Sequence, residues 1–309
     1  MTEKLFRVLS LDGGGAKGFY TLGILREMEA MIGCRIHERF DLIFGTSTGA
    51  IIAAMLAMGK AVPEIIELYT RHVPTVMTEK SASGRSAALS HLSQEIFGDL
   101  KFDAMKTSVG IVATKWVHER PMIFKTHIGQ SHGMKGSFVP GFGVNVGEAV
   151  QASCSAYPYF DRKQVKTASG DNFELIDGGF CANNPTLYAI ADATVALNIP
   201  PDQIRVVSLG CGSYPPPPHN WWTLDYWIQK TPGVQLLQKT LEINTQSMEQ
   251  LRFILYKHIP TIRINDSFAE PGMATNLFEH DLDKLNILTQ KGVQSFAREE
   301  QALRAFLVQ

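Results

Sequence analysis

Cysteine is scarce: Cys34, Cys154, Cys181 and Cys211 are the only four in 309 residues. They are widely spaced without a CxxC pair, and a chain of this length buries a core that needs no covalent staples. A disulfide framework is therefore excluded and reduced thiols are expected. An excess of charge of one sign is also missing. Lys and Arg number 29 against 30 Asp and Glu, a formal net charge of -1, and the basic residues form no stripe, which argues against nucleic-acid binding. No long hydrophobic run is present. The longest, residues 50–58, stops at Gly59-Lys60 and is too short to span a bilayer. Residues 1–7 lack the basic start, apolar stretch and cleavage site of a signal peptide and lead straight into a strand-like run. The expectation is a cytoplasmic protein that visits membranes without crossing them. The nine histidines are scattered with no metal-ligand spacing, so no metal or other cofactor is called for.

What is present is a globular composition, 45% hydrophobic and 19% charged, with a repeated local pattern. Residues 6–11 read as a strand that meets Asp12-Gly13-Gly14-Gly15, after which Leu22, Leu25, Met28 and Ile32 recur at helical spacing. Residues 42–44 again meet glycine at Gly45, and residues 50–58 are apolar on every side, as in a helix buried under a sheet. Val62-Pro63-Glu64 opens a helix to about His72. Residues 75–93, polar and rich in serine and alanine, read as a long loop or loosely held helix and a candidate lid. Residues 109–114 and 122–126 read as strands, and the glycine-rich residues 131–143 as mobile. Asn145 and Glu148 form a capping box for a helix through Ala152. Residues 173–176 are a strand ending in Asp177-Gly178-Gly179, Asn184-Pro185 opens a further helix, and residues 204–209 are the last strong strand. Beyond Gly212 come four prolines at 215–218, then Trp221, Trp222 and Trp227, then helical patterns. The fold expected is a single α/β domain of three layers, α/β/α, over a mostly parallel sheet. Residues 5–212 are its core and residues 213–309 a helical C-terminal extension.

Three motifs carry chemistry. Gly45-Thr46-Ser47-Thr48-Gly49 matches G-x-S-x-G between a buried strand and a buried helix, where a serine sits on a strained elbow above a helix N-terminus. The alternative, an ordinary Gly/Ser helix start, lacks companions, and this motif has two. Asp12 to Gly18, reading DGGGAKG, converges several backbone N–H groups into a nest that suits an anion, here a tetrahedral oxyanion. Gly13, Gly15 and Gly18 also spell the dinucleotide pattern G-x-G-x-x-G, but that fold wants an acidic residue ending the second strand, and Asp41 precedes it instead. Asp177-Gly178-Gly179 ends a strand and should emerge at the same sheet edge, where a carboxylate can take the Ser47 proton and return it to the leaving alcohol. Taken alone it is a turn.

DGGGAKG, GTSTG and DGG, in this order and on these elements, resemble the three signature blocks of patatin-like phospholipases. Residues 152–160 are similar to the family's Ala-Ser-x-Ala-x-Pro-x-x-Phe segment. The resemblance spans roughly residues 5–212. It implies a Ser-Asp dyad without histidine or metal: Ser47 as nucleophile, Asp177 as base, and the backbone of Gly13, Gly14 and Gly15 as oxyanion hole. Asp12, Lys17, Gly18, Gly45, Gly49, Gly178 and Gly179 support these motifs. Lys17 stands where the family usually has arginine, so bidentate geometry is lost there. The implied substrate is a phospholipid ester at a membrane surface. The segment through GTSTGAIIAAMLAMG looks more like compact bacterial antiphage effectors, switched on by a cyclic dinucleotide such as cyclic GMP-AMP, than like plant storage patatins. No nucleotide-binding motif is visible, which leaves the Pro/Trp region and the C-terminal helices as places for one, and a homo-oligomer is open.

Two rival readings stay on the table. A conventional α/β-hydrolase would recruit His219, His258 or His280 after Asp177 and make one histidine essential. A non-catalytic nucleotide- or anion-binding module would use the glycine nest without turnover. The three tryptophans suit either a lipid interface or a packed contact.

Overall fold

The structure is a computed structural model that describes residues 5–215 and 232–308. Eight strands form one sheet: β1 (Phe6–Leu11), β2 (Leu42–Thr46), β3 (Ser108–Lys115), β4 (Arg120–Lys125), β5 (Lys163–Lys166), β6 (Asn172–Asp177), β7 (Ile204–Leu209) and β8 (Thr261–Ile264). The order is β5-β6-β3-β2-β1-β7-β8, with β4 also paired to β3. From β3 to β8 along this order every pairing is parallel, whereas β4, β5 and β6 pair antiparallel.

Burial on both faces explains why the central strands are uninterrupted apolar runs. Alternate residues feed two cores. Leu9, Leu11, Ile43 and Ile111 face one, while Val8, Leu42, Phe44 and Val112 face the other. The first core is covered by α1 (Gly18–Ile32), α3 (Thr48–Ala57), α4 (Val62–Thr78), α5 (Ala82–Phe97) and α6 (Val146–Ser153), with the short α2 (Ile36–Arg39) at its margin. The second lies under α7 (Gly179–Ala182) and α8 (Thr186–Ala191). Every residue of α3 is buried, as its apolar composition requires. The capping box at Asn145 is formed, its side chain accepting from the Glu148 amide at 2.8 Å.

Three expectations are resolved or revised. Of the two readings of residues 75–93, long loop or loosely held helix, the helix is the one formed: α4 continues through Pro74 to Thr78, and α5 follows, burying Leu89, Leu92 and Phe97. The many serines and alanines of α5 dilute its apolar period below recognition. Residues 131–143 form short 3-10 turns, anchored where the buried Asp192 accepts from Lys125 Nζ at 2.5 Å, His132 Nε2 at 2.7 Å and Gln130 Nε2 at 3.0 Å. The stretch after residue 212 is not helical alone. It contains α9 (Pro232–Tyr256) and α10 (Leu282–Leu307), but β8 between them pairs parallel with β7. The expected boundary at 212 thus falls inside the sheet. Helix α10 packs closely on α1, where a Cβ on Gly292 would stand 2.1 Å from the Tyr20 carbonyl oxygen. Finally, Pro216, Pro217, Pro218, His219, Trp221, Trp222 and Trp227 lie outside the described residues.

Candidate active site

Strand β3 is the ruler that assembles the site. β2 pairs with it from Leu42↔Ser108 to Thr46↔Val112. β6 takes up the same edge at the next residue, Ala113↔Asp177, and continues to Lys115↔Leu175, because β4 occupies the other edge. β2 runs parallel to β3 and β6 antiparallel, so their carboxyl ends meet head to head between Val112 and Ala113. Sequence reasoning expected Ser47 and Asp177 to meet because both end strands of a parallel sheet. They meet because one strand is reversed.

Ser47 leaves β2 with φ 53° and ψ -123°, a region that residues with a Cβ rarely enter. The elbow is tight enough that a Cβ on Gly45 would stand 2.3 Å from the Gly49 carbonyl oxygen, and a Cβ on Gly49 would stand 2.3 Å from the Leu11 carbonyl oxygen of β1, which accounts for both glycines of the motif. The turn is fixed from α6: the Ser47 amide donates to Ser153 Oγ at 2.9 Å, and that hydroxyl donates to the Val112 carbonyl at 2.5 Å. Ser153 belongs to the segment already noted at residues 152–160, but this role was not visible there.

Ser47 Oγ donates to Asp177 Oδ2 at 2.7 Å, and the Gly179 amide donates to Oδ1, also at 2.7 Å. Gly178 makes the turn between them against the backbone of β3. Burial pushes the Asp177 carboxyl up to about 6, with the Gly179 amide and the Ser47 hydroxyl pulling the other way. A carboxylate tuned toward neutrality is a stronger general base than an exposed one and is still ionised at pH 7. The thiol of Cys154, beside the pair, is pushed well above its ordinary range by burial and by the Asp177 charge, so it stays neutral.

The glycine nest needs one correction. The Gly13 amide donates to the Asn183 carbonyl at 2.9 Å and is not available to an oxyanion. The amides of Gly14 and Gly15 donate to no acceptor among the described residues, and Gly15, at φ 57°, lines the same cleft as Ser47. Gly18 starts α1 against the Thr48 hydroxyl. Lys17 is buried, with Nζ 5.9 Å from the Tyr214 ring centroid.

Asp12 faces away from the chemistry. Its carboxylate accepts from Arg263 Nη1 at 2.9 Å and Nη2 at 2.5 Å, and Arg263 also donates to Ser208 Oγ at 2.8 Å. Burial pushes Asp12 up to about 6 while the guanidinium opposes it, so the pair is ionised at neutral pH. Arg263 lies on β8, and no motif marks it. Because Arg263→Met would leave a buried carboxylate without a partner, it is expected to cost about 3–5 kcal/mol of stability. Urea unfolding checks this, and a loss below about 1 kcal/mol would show that the pair does not anchor the glycine loop.

An apolar cleft opens over the dyad. Its walls include Val76 of α4, Leu89 and Leu92 of α5, Phe160, and Leu237 and Leu241 of α9. Three of these wall residues, Val76, Leu89 and Leu92, come from the segment read as a candidate lid. Among the described residues no histidine bonds to Ser47 or Asp177. His280 meets the Phe278 carbonyl at 3.1 Å and His258 packs beside Tyr256, while His219 is outside the description. Nor do the described residues contain a group of three or more side chains suited to a metal ion.

The chain is similar to several known proteins. Residues 9–190 match the profile described as patatin-like phospholipase. An Escherichia coli protein named cUMP-AMP-activated phospholipase is 60% identical over 99% of this chain and 95% of its own length. Human calcium-independent phospholipase A2-gamma is 26% identical over 96% of this chain, which spans only 39% of that protein. The crystal structure of VipD from Legionella pneumophila shares the fold, with a TM-score of 0.51 at 12% identity, covering 98% of this chain and 67% of VipD.

Proposed function

The chain belongs to the patatin-like phospholipase family, and on that premise we propose that it is a serine acyl hydrolase releasing fatty acyl chains from membrane phospholipids, with Ser47 as nucleophile and Asp177 as general base. The observation that carries the reading is the 2.7 Å hydrogen bond from Ser47 Oγ to a buried carboxylate raised toward neutrality. Ser47 Oγ attacks the ester carbonyl as Asp177 Oδ2 takes its proton. The amides of Gly14 and Gly15 meet the oxyanion, and the intermediate collapses as Asp177 gives the proton to the leaving alcohol. A water molecule then attacks the acyl-enzyme, its proton passing to Asp177, and the fatty acid leaves as Ser47 regains a proton. No step needs a metal or a histidine. The acyl chain lies in the apolar cleft.

The E. coli relative is, by its name, activated by cUMP-AMP. We extend that to this chain: a cyclic dinucleotide, the class that the resemblance implied with cyclic GMP-AMP as its example, switches it on, and cUMP-AMP is the member that the relative's name favours. No helix among the described residues is long and apolar enough to cross a membrane, in keeping with a peripheral approach to the bilayer. Residues 1–309 are read as one catalytic domain because Arg263 and α9 reach the site from beyond residue 212.

The test is fatty-acid release from phosphatidylethanolamine and phosphatidylglycerol vesicles with cUMP-AMP, with cyclic GMP-AMP and with neither. Release with cUMP-AMP supports both parts of the proposal. Equal release in all three removes the switch and leaves the lipase, and release in none removes the phospholipase. The cleft has its own prediction. Leu89→Trp fills it from α5, so kcat/KM for hexadecanoyl relative to butyryl esters is expected to fall about 10- to 100-fold. An unchanged ratio would place the acyl chain elsewhere.

A further inference from the structure

Asn183 sits where three parts of the site join. Its carbonyl accepts the Gly13 amide at 2.9 Å and its Nδ2 donates to the Gly13 carbonyl at 3.1 Å, so both backbone polar groups of Gly13 are gripped by one residue. A carbonyl only accepts, which fixes the amide nitrogen on that side. The side-chain oxygen lies between two motif glycines: a Cβ on Gly13 would stand 2.3 Å from it, and a Cβ on Gly179 2.8 Å. That same Gly13 Cβ would be 3.2 Å from Ser47 Cβ. Asn183 therefore sets the distance between the glycine loop, the elbow and the Asp177 turn.

Asn183 is itself held from α9. Its amide donates to Asn244 Oδ1 at 2.8 Å, and its second Nδ2 hydrogen goes to Thr245 Oγ1 at 2.7 Å. Asn244 Nδ2 returns a bond to the Cys181 carbonyl at 3.2 Å, and Thr245 Oγ1 donates to the Leu241 carbonyl at 3.0 Å. Four residues before Thr245 on the same helix, Leu241 lines the acyl cleft. One helix thus carries both a cleft wall and the support of the glycine loop.

We infer that Asn183 and Thr245 are positioning residues that hold Gly14 and Gly15 in register with Ser47, so that α9 determines whether the oxyanion site is formed. This rests on the dyad reading above. Neither residue touches the reacting atoms. Removing the Thr245 hydroxyl leaves one Asn183 hydrogen buried without an acceptor, and the loop relaxes away from Ser47. Small displacements matter because the oxyanion donors act over about 3 Å.

The experiment compares Thr245→Val, Thr245→Ser and Asn183→Ala with the parent chain, using a short-chain p-nitrophenyl ester, a fluorophosphonate that phosphonylates serine nucleophiles, and the pH dependence of kcat/KM. Thr245→Val is close in shape and guards against a misfolded Asn183→Ala. Expected for Thr245→Val are a fall in kcat of about 10- to 100-fold and a matching fall in fluorophosphonate labelling rate. KM should stay within about twofold and the acid limb of the profile where it was, because Asp177 keeps its burial and its partners. Thr245→Ser restores the hydroxyl and should recover most of the rate. The inference is overturned if Thr245→Val keeps the parent kcat and labelling rate. It is equally overturned if activity falls with a raised KM and an acid limb moved toward the ordinary carboxylate range, since that reports general loosening around Asp177. Ser47→Ala and Asp177→Asn run beside these variants. If both remain active, the dyad reading itself has failed; if both are dead while Thr245→Val is normal, only the positioning role has.

Discussion

Replacing Ser47 with alanine is expected to lower phospholipid hydrolysis by at least about 10⁴-fold, because no other nucleophile among the described residues stands ready in the cleft. Cys154, the nearest thiol, is kept neutral by burial and by the Asp177 charge, so it does not substitute. The fold should survive. Alanine adopts the elbow conformation at the same strain, and the bond from residue 47's amide to Ser153 Oγ is a backbone contact that the substitution retains. Circular dichroism and urea unfolding establish folding, and titrated fatty acid gives the rate. A folded Ser47→Ala protein with more than about a tenth of the parental rate would contradict the assignment.

Asp177→Asn is expected to lower kcat/KM by about 10³- to 10⁴-fold, since the amide keeps the shape but cannot take the proton. Here the sign of a second effect distinguishes a catalytic carboxylate from a structural one. The folded-state value of about 6 lies above the ordinary 3.8, so the native state holds the proton more tightly than the unfolded chain. Stability therefore falls as pH rises from about 4 to about 6 and the full penalty persists above that. Asparagine removes the penalty, so Asp177→Asn should be as stable as the parent near pH 4 and more stable at pH 7.5, by up to about 3 kcal/mol. A large loss of stability at pH 7.5 would mean the carboxylate mainly holds the fold. The parent's kcat/KM should fall tenfold per pH unit below about 6 as Asp177 is protonated. An acid limb near 4 would sink the claim that burial tunes this base.

Much of the sheet was legible because its strands are short apolar runs that end in glycine. β1 and β7 have the bounds expected from residues 6–11 and 204–209, and the Ser47 elbow lies where strand gives way to helix. What local pattern does not encode is direction and distant pairing. The alternation within β6 is the same whichever way the strand runs, so its reversal against β3 was invisible. β8 is bounded by Pro260 and Asn265-Asp266, but its four residues are too short a run to stand out between two long helical patterns.

Long-range partners were hidden for the same reason. The Gly13 amide looks free in DGGGAKG, yet Asn183, 170 positions away, consumes it. Arg263 lies 251 residues from Asp12 and belongs to no motif. In the Cys181-Ala182-Asn183-Asn184-Pro185 run the sequence drew attention to Asn184 as a helix cap, and its side chain does accept from the Thr186 amide at 3.0 Å. The neighbouring asparagine, with the greater bearing on the site, carried no separate signal.

The most direct measurement is to react the protein with a phospholipid, quench in acid within one turnover, and locate the trapped acyl group by peptide mass spectrometry. A fatty acyl ester on the peptide containing Ser47, absent from Ser47→Ala, is the predicted result. Acyl found on a histidine or another serine, or turnover that continues with residue 47 never modified, would contradict it.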